Sequence, residues 1–206
     1  MTLIKQLKIL HATYPDPKFY LNVSTPLQIL IGTILSPQVR DEVVNAALPG
    51  LFTTYRTAND FAKAKESDIL KHIAKITFAN DKAKRLIEAC KIIEQDHDGK
   101  IPKTVKELTK LPGVGKKTAF SILQNAYGIV EGVIVDSHVL RVSYRLGWTT
   151  HNKNANIVER ELEDQLDKKE WKDIPYILKA HGRGPCTPKT KCQQCPLKNL
   201  CPKIGI

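Results

Sequence analysis

The chain has 206 residues, of which 42% are hydrophobic, and this suffices for one sizeable core or two small ones. No apolar run is long enough to span a membrane and the N-terminus lacks the apolar core of a signal peptide, so we expect an intracellular protein without a targeting segment. A net charge of +11 favours a polyanionic partner, of which nucleic acid is the commonest.

Hydrophobic periodicity predicts helices along the whole chain and no convincing strand pair. Capping residues, proline and glycine mark the predicted helix ends; Thr57 and Ser67 are the expected N-caps of the fourth and fifth helices. In the N-terminal half the predicted helices are a leucine-striped helix that stops before Pro15, then Pro26–Leu35, Gln38–Leu48, Ala58–Ala64, Asp68–Lys75 and a longer helix that starts at Asn80 or Asp81. After residue 130 they are Ser137–Leu146, Asn154–Leu166 and Pro175–His181. The chain is therefore predicted to be all-α, with about ten helices.

Between these two groups, a proline-glycine stretch joins two further predicted helices. Thr104 and Glu107 form a capping box for a short helix, Pro112–Gly115 makes the turn, and a longer helix starts at Lys116. This arrangement is a helix-hairpin-helix over about 105–127.

Gly113 and Gly115 are expected to give this turn a left-handed backbone and a close approach between chain segments. They also leave the N–H groups at the start of the second helix uncovered, where the helix dipole favours a phosphate. The adjacent Lys116 is a candidate phosphate contact. On these residues alone, a hairpin that only connects two helices is nearly as well supported as a DNA-phosphate site. Such hairpins also occur in proteins that bind DNA without altering it.

The C-terminal segment is basic and rich in cysteine. Residues 176–206 carry six Lys or Arg and no Asp or Glu. Four of the chain's five cysteines lie there within sixteen residues: Cys186, Cys192, Cys195 and Cys201. In an intracellular protein, clustered cysteines more often bind a metal than form disulfides.

Four thiolates can bind zinc or a 4Fe-4S cluster. Zinc sites usually pair two C-x2-C motifs, whereas this segment has one such motif with a wider gap on each side, so the spacing favours iron–sulfur over zinc. A disulfide pair or free thiols come last. The fifth cysteine, Cys90, lies on the apolar stripe of its helix and is predicted to be a buried core residue.

Three motifs, in this order, resemble the endonuclease III family of DNA glycosylases: the hairpin Leu111–Thr118, then Val135–His138, then His181–Arg183 running into the four cysteines. The resemblance covers nearly the whole chain, and the combination is far more specific than any one motif. It implies a two-domain helix-hairpin-helix glycosylase fold. Residues 22–131 would form a six-helix barrel domain, and residues 1–21 plus 132–206 would form a 4Fe-4S cluster domain.

The resemblance also implies roles for individual residues. Lys117 stands where bifunctional members have their catalytic lysine, and Asp136 stands at the catalytic aspartate. Gln38 matches a glutamine that fills the space left by a flipped nucleotide, and Phe78 falls near a residue that wedges into the duplex. Spacing alone does not choose between Lys117 and Lys116 as the nucleophile. Asp136 is equally suited to cap its helix, a role compatible with chemistry.

The chain departs from the family pattern in three places. The first cysteine gap, of five residues, is one shorter than usual. The segment Thr77–Asn80 lacks the glycine and the aromatic residue usual around the wedge, and Pro37 replaces a small residue beside Gln38.

The resemblance implies a base-excision repair glycosylase with AP-lyase activity, a monomer that binds double-stranded DNA with a damaged base or an abasic site. A lysine at position 117 favours the lyase branch and oxidised pyrimidines. A uracil, thymine-mismatch or alkylated-base glycosylase is the first alternative. A non-catalytic hairpin protein that binds DNA and a zinc-stabilised binding module are the others.

Overall fold

The computed structural model describes residues 2–206, and within them the chain forms eleven α-helices, two short 3-10 helices and no β-strand. The predicted all-α class is therefore confirmed. The α-helices are α1 (Thr2–Thr13), α2 (Pro26–Leu35), α3 (Asp41–Thr54), α4 (Ala58–Lys63), α5 (Glu66–Ile73), α6 (Ala79–His97), α7 (Val105–Leu108), α8 (Lys116–Tyr127), α9 (Ser137–Arg145), α10 (Ala155–Gln165) and α11 (Ile174–Arg183). The 3-10 helices are Lys168–Glu170 and Cys192–Gln194. No helix in the described part of the chain has the length and apolar character that crossing a membrane requires.

The helices divide into two compact units. The central unit, Tyr20–Glu131, contains α2 to α8. The terminal unit combines the chain up to Phe19 with Gly132–Ile206, and contains α1 and α9 to α11. The labels of barrel domain and cluster domain that the resemblance attaches to residues 22–131 and to residues 1–21 plus 132–206 stay predictions.

The central unit is built around α2 and α6. Seven of the ten residues of α2 are buried, as its apolar sequence predicted. Helix α6 packs against α2, α4 and α5, and its Leu86 and Ile93 are fully buried with Phe61 of α4. Each such side chain contributes about 1.5–3 kcal/mol on leaving water. This core holds the segments before α3, before α6 and before α8 on a rigid frame.

In the terminal unit, α9 packs against α11 around a core that includes Val142 and Ile177. The buried Gln6 of α1 ties the C-terminal segment to this core, because its Nε2 donates to Leu200 O at 2.9 Å while its Oε1 accepts from Trp148 Nε1 at 2.5 Å. A buried amide with both ends bonded fixes its neighbours, since any shift would leave a polar atom unpaired.

Three predicted helix ends in the central unit are wrong. Helix α3 begins at Asp41 rather than at Gln38, because Gln38 has a left-handed backbone that a helix does not accommodate. Helix α3 continues through Pro49 to Thr54, because Val44, Leu48 and Leu51 form one buried face that spans the proline. The burial of that face outweighs the cost of an interior proline, about 3 kcal/mol. Helix α5 begins at Glu66 without a side-chain cap, so Ser67 is not its N-cap.

In the terminal unit the predicted end at His181 is also wrong, because α11 continues through Gly182 to Arg183. A Cβ at Gly182 would lie 2.9 Å from His138 Nδ1 and 3.1 Å from Val142 Cγ2, both on α9. The glycine therefore allows α9 and α11 to approach closely rather than ending the helix.

Candidate functional site

The predicted helix-hairpin-helix is present in the central unit as α7, a turn and α8. Thr104 caps α7: its Oγ1 accepts from Glu107 N at 3.2 Å and its hydroxyl donates to Glu107 Oε2 at 2.7 Å. The turn is closed by a hydrogen bond from Val114 N to Leu111 O at 3.0 Å. Helix α8 then begins at Lys116 with Gly115 as its N-cap. Because Gly115 has no side chain, no N-cap side chain covers the first N–H groups of α8, and a helix start of this kind can bind an anion.

The two hairpin glycines differ in conformation. Gly113 has φ 86°, in the left-handed region, and a Cβ there would lie 3.3 Å from both Arg85 Cδ and Ile34 Cγ2. Gly115 has φ −90° and ψ 179°, and a Cβ there would meet nothing within 4 Å. The expected left-handed backbone is therefore confirmed for Gly113 and wrong for Gly115.

This difference predicts unequal effects of alanine on stability. Gly113→Ala should lower the free energy of unfolding by about 1–2 kcal/mol, because a left-handed non-glycine residue is strained and its Cβ is crowded. Gly115→Ala should change it by less than about 0.5 kcal/mol, because alanine adopts this backbone freely and meets open space, while it is a poorer N-cap than glycine. Urea unfolding of both variants measures the effect, and equal losses at the two positions would contradict the assignment.

Lys116 and Lys117 both lie exposed in the first turn of α8. The ammonium of Lys116 turns back over its own helix, where it lies 5.1 Å from the centre of the Phe120 ring in a cation–π contact. Lys117 is the second residue of the helix and belongs to the central unit.

Asp136 belongs to the terminal unit and caps α9, so its expected capping role is confirmed. Its Oδ1 accepts hydrogen bonds from His138 N at 2.8 Å and from Val139 N at 2.9 Å. The three residues before it, 133–135, are buried, and they hold the half-buried carboxylate at the start of the helix. Burial lowers the pKa of His138, whose Nδ1 lies 3.2 Å from Arg141 Nη2.

Gln38 and Phe78 share an unusual backbone. Each has φ 58°, a left-handed conformation that residues with a side chain seldom adopt. Gln38 is exposed in the turn between α2 and α3, and Phe78 is 57% exposed at the N-cap of α6. Both residues are thus presented on strained, exposed turns of the central unit, a pattern that clusters at functional sites.

Lys82 is a feature that sequence reasoning missed. It is 3% exposed, and its Nζ donates to Leu35 O at 2.8 Å and to Pro37 O at 2.7 Å. The available signal was its position four residues before Leu86, on the apolar stripe of α6. A lysine on a buried stripe must find hydrogen-bond partners.

The four C-terminal cysteines line one pocket of the terminal unit, together with His181 and others. Burial raises the pKa of Cys195 and Cys201. The negative charges of the neighbouring cysteines raise the pKa of both thiols further. Sulfur atoms in the pocket also receive hydrogen bonds, from Lys203 N to Cys201 Sγ at 3.4 Å and from Arg145 Nη1 to Cys186 Sγ at 3.6 Å. Four sulfur ligands, with N–H groups that donate to two of them, suit a positively charged metal group that spans several atoms.

Within residues 2–206, no three His, Cys, Asp or Glu side chains are arranged around a single metal-ion position. Cys90 does not line this pocket and belongs to the central unit. It is fully buried, and burial raises its pKa to about 12, with a further contribution from Glu94. The prediction of a core cysteine is therefore confirmed.

Comparison with known proteins places this chain among repair enzymes. Residues 31–168 match the model of the HhH-GPD superfamily base excision DNA repair proteins. Endonuclease III of Synechocystis sp. is 40% identical over 197 residues, which cover 95% of this chain and 90% of the relative. Endonuclease III of Rickettsia prowazekii is 37% identical over 198 residues, which cover 96% and 92%.

Solved structures agree with these relatives. A trapped covalent intermediate of endonuclease III with DNA superposes with a TM-score of 0.91 at 30% identity, covering 98% of this chain and 96% of that one. A thermostable thymine-DNA glycosylase superposes with a TM-score of 0.84 at 26% identity, covering 98% and 95%. The chain therefore belongs to the endonuclease III family of the HhH-GPD superfamily of base excision DNA repair proteins.

Proposed function

We propose that this protein is a DNA glycosylase with AP-lyase activity that removes damaged bases, oxidised pyrimidines above all, from double-stranded DNA. The observation that carries the proposal is an exposed lysine at the second position of the hairpin's long helix, in a chain related to endonucleases III over nearly its whole length. A hairpin that merely bound DNA would not need a nucleophile at this place.

Lys117 is the proposed nucleophile. The target base must first leave the stack. The neutral amine then bonds to C1′ as the bond to the base breaks; the electron pair leaves with the base, which takes up a proton, while the amine loses one. Opening of the sugar ring gives a Schiff base. Loss of a proton from C2′ and departure of the 3′ phosphate then cut the strand by β-elimination. The contact of Lys116 with Phe120 supports the choice of Lys117.

Asp136 is the proposed electrostatic partner of this chemistry. Its two hydrogen bonds from α9 stabilise a carboxylate and fix its orientation. A carboxylate near C1′ stabilises the positive charge that develops on the sugar as the base departs.

DNA binding is assigned to the hairpin and to the two strained turns. The start of α8, which no side chain caps, and the adjacent ammonium form the proposed phosphate site. Gln38 fills the space of the flipped nucleotide, and the exposed ring of Phe78 wedges between bases. The DNA-contacting residues are thus Gln38, Phe78, Gly113, Gly115 and Lys116. The chain's charge of +11 suits this partner.

A 4Fe-4S cluster is the proposed occupant of the cysteine pocket, with Cys186, Cys192, Cys195 and Cys201 as its ligands. When bound, it would cross-link the basic C-terminal segment for contact with DNA rather than carry out the reaction. Arg145 supports this segment from α9, since its Nη1 donates to Thr187 O at 2.8 Å.

Metal analysis separates this proposal from zinc. The purified protein should be yellow-brown, with about four irons per chain, as a cluster held by four thiolates requires. Cys195→Ser should lose iron and destabilise the terminal unit, because its thiol lines the pocket. The matched control Cys90→Ser should keep the full iron content, because Cys90 lies in the other unit. About one zinc per chain and no visible colour would contradict the cluster.

The experiment that tests the function is a panel of duplexes, each with one damaged or mismatched base, assayed under single-turnover conditions. Release of an oxidised pyrimidine with strand cleavage is expected. Thymine opposite guanine is the informative competitor, because the chain also superposes closely on a thymine-DNA glycosylase. If the protein releases a base from that mismatch alone and does not cleave the strand, the proposed function is wrong and the protein is a thymine-mismatch glycosylase.

A further inference from the structure

Lys82 reaches from α6 to the turn that carries Gln38. The carbonyl oxygens that accept from its Nζ belong to Leu35, the last residue of α2, and to Pro37, the residue before Gln38. Carbonyls at the C-terminal end of a helix lack partners within it and attract a positive charge. The ammonium of Lys82 therefore fixes the backbone at the start of the turn, immediately before Gln38.

The same residue is linked to the turn that carries Phe78. The backbone N–H of Lys82 donates to Phe78 O at 3.0 Å, the first hydrogen bond of α6. Phe78 and Lys82 thus lie one helical turn apart on a well-packed helix. A single residue bonds with its backbone to one strained turn and with its side chain to the other.

The hairpin turn rests on the same two helices. Gly113 lies against Ile34, near the end of α2, and against Arg85, one turn after Lys82 on α6. The segments proposed to meet DNA in the central unit therefore converge on the end of α2 and the start of α6, and Lys82 is the side chain that bonds these two places together.

Placing a lysine at this buried position costs free energy, because its charged group leaves water. Its side chain is almost completely buried, and burial, with the positive charge of Arg85 adding to it, lowers its pKa to about 8. An apolar side chain of similar length would fill the space without that cost. The hydrogen bonds to the Gln38 turn are what such a replacement would lose.

We infer that Lys82 is a positioning residue, which locks the Gln38 turn to the helix that carries Phe78 so that both side chains enter a damaged duplex at a fixed spacing. This inference rests on the proposed roles of Gln38 and Phe78 in DNA. Lys82 itself does not touch the substrate.

The test replaces Lys82 by methionine, which keeps the length and apolar stem and removes the donors. Lys91→Met, an exposed change on the same helix, is the matched control. Two quantities are measured: the single-turnover rate of excision, and the fluorescence rise of a 2-aminopurine placed beside the lesion, which reports side-chain insertion. Lys82→Met should slow excision by tenfold to a hundredfold, the scale of an error of about 1 Å in positioning. It should also lose most of the fluorescence rise while binding undamaged duplex like the wild type.

A double-mutant cycle separates positioning from mere stabilisation. If Lys82 acts through the Gln38 turn, Lys82→Met should slow Gln38→Ala enzyme by less than about twofold, because residues that act as a unit are not additive. A loss as large in the Gln38→Ala background as in the wild type would overturn the inference. So would a Lys82→Met enzyme with wild-type excision and fluorescence.

Lys82→Gln, which keeps a donor and removes the charge, is the second variant if Lys82→Met does not fold. We expect it to lower the excision rate and the fluorescence rise as well, by a smaller factor. Wild-type rates of excision and fluorescence in Lys82→Gln as well would contradict positioning. Wild-type protein that releases no damaged base from any duplex would instead overturn the proposed function, and with it this inference.

Discussion

Replacing Lys117 by alanine should abolish the covalent adduct that borohydride traps between this protein and a duplex with a damaged base or an abasic site. The adduct is a reduced Schiff base, and its formation requires a primary amine at the reacting C1′. Because no other side chain supplies that nitrogen in the proposed reaction, the loss should be complete rather than partial. The measurement is the yield of the slowly migrating protein–DNA band during turnover.

Lys116→Ala is the matched control, because the two lysines are neighbours in the first turn of α8. It should keep trapping at saturating protein and mainly weaken binding, by an amount that shrinks as salt is added, since one phosphate contact is lost. Trapping that survives Lys117→Ala but disappears in Lys116→Ala would exchange the two roles.

Asp136→Asn should slow base release by on the order of a hundredfold or more, the scale of losing one electrostatic stabiliser. Asparagine caps a helix about as well as aspartate, and its amide oxygen can accept from the same two N–H groups of α9. Stability should therefore change little. Binding to undamaged duplex should be unchanged or slightly tighter, since a negative charge near phosphate is removed.

Asp136→Ala is the companion variant, because it removes the charge and the cap together at a cost of about 1 kcal/mol in stability. Single-turnover excision and thermal melts of both variants separate the roles. If Asp136→Asn excises at close to the wild-type rate and Asp136→Ala fails in proportion to its lost stability, Asp136 is a cap and not part of the chemistry.

The elements that sequence predicted well are those with local causes. Thr25, Thr57 and Thr104 each cap their helix through a side-chain oxygen, and each bond joins residues three apart in the chain. Asp136 does the same for α9. The helix-hairpin-helix follows from such local signals as well, which is why its two helices start where the sequence indicated.

The predictions that were wrong depend on distant contacts. Pro49 does not end α3, because the buried face continues beyond it. Gly182 does not end α11, because a second helix presses against it. Lys82 was overlooked because its acceptors lie 45 and 47 residues earlier in the chain. The left-handed backbone expected for Gly115 is the exception and is wrong without any distant contact: its φ is −90°, and the open space beside it is what distinguishes this glycine.

The catalytic roles of Lys117 and Asp136 follow from the resemblance, since local patterns leave each of them an ordinary structural role. Two adjacent exposed lysines look alike in sequence, and an aspartate at a helix start is first of all a cap. The four cysteines differ, because their number and spacing in the sequence already favour iron–sulfur over zinc.

The central claim, that one lysine both releases the base and cuts the strand, is tested most directly by measuring the two products separately. A duplex with a single oxidised pyrimidine is incubated with excess protein, and free base and cleaved strand are quantified at each time point. We predict that both appear, that the cleaved strand carries the unsaturated aldehyde of β-elimination, and that Lys117→Ala loses both. Base release with an intact strand, or strand cleavage that persists without Lys117, would contradict the account.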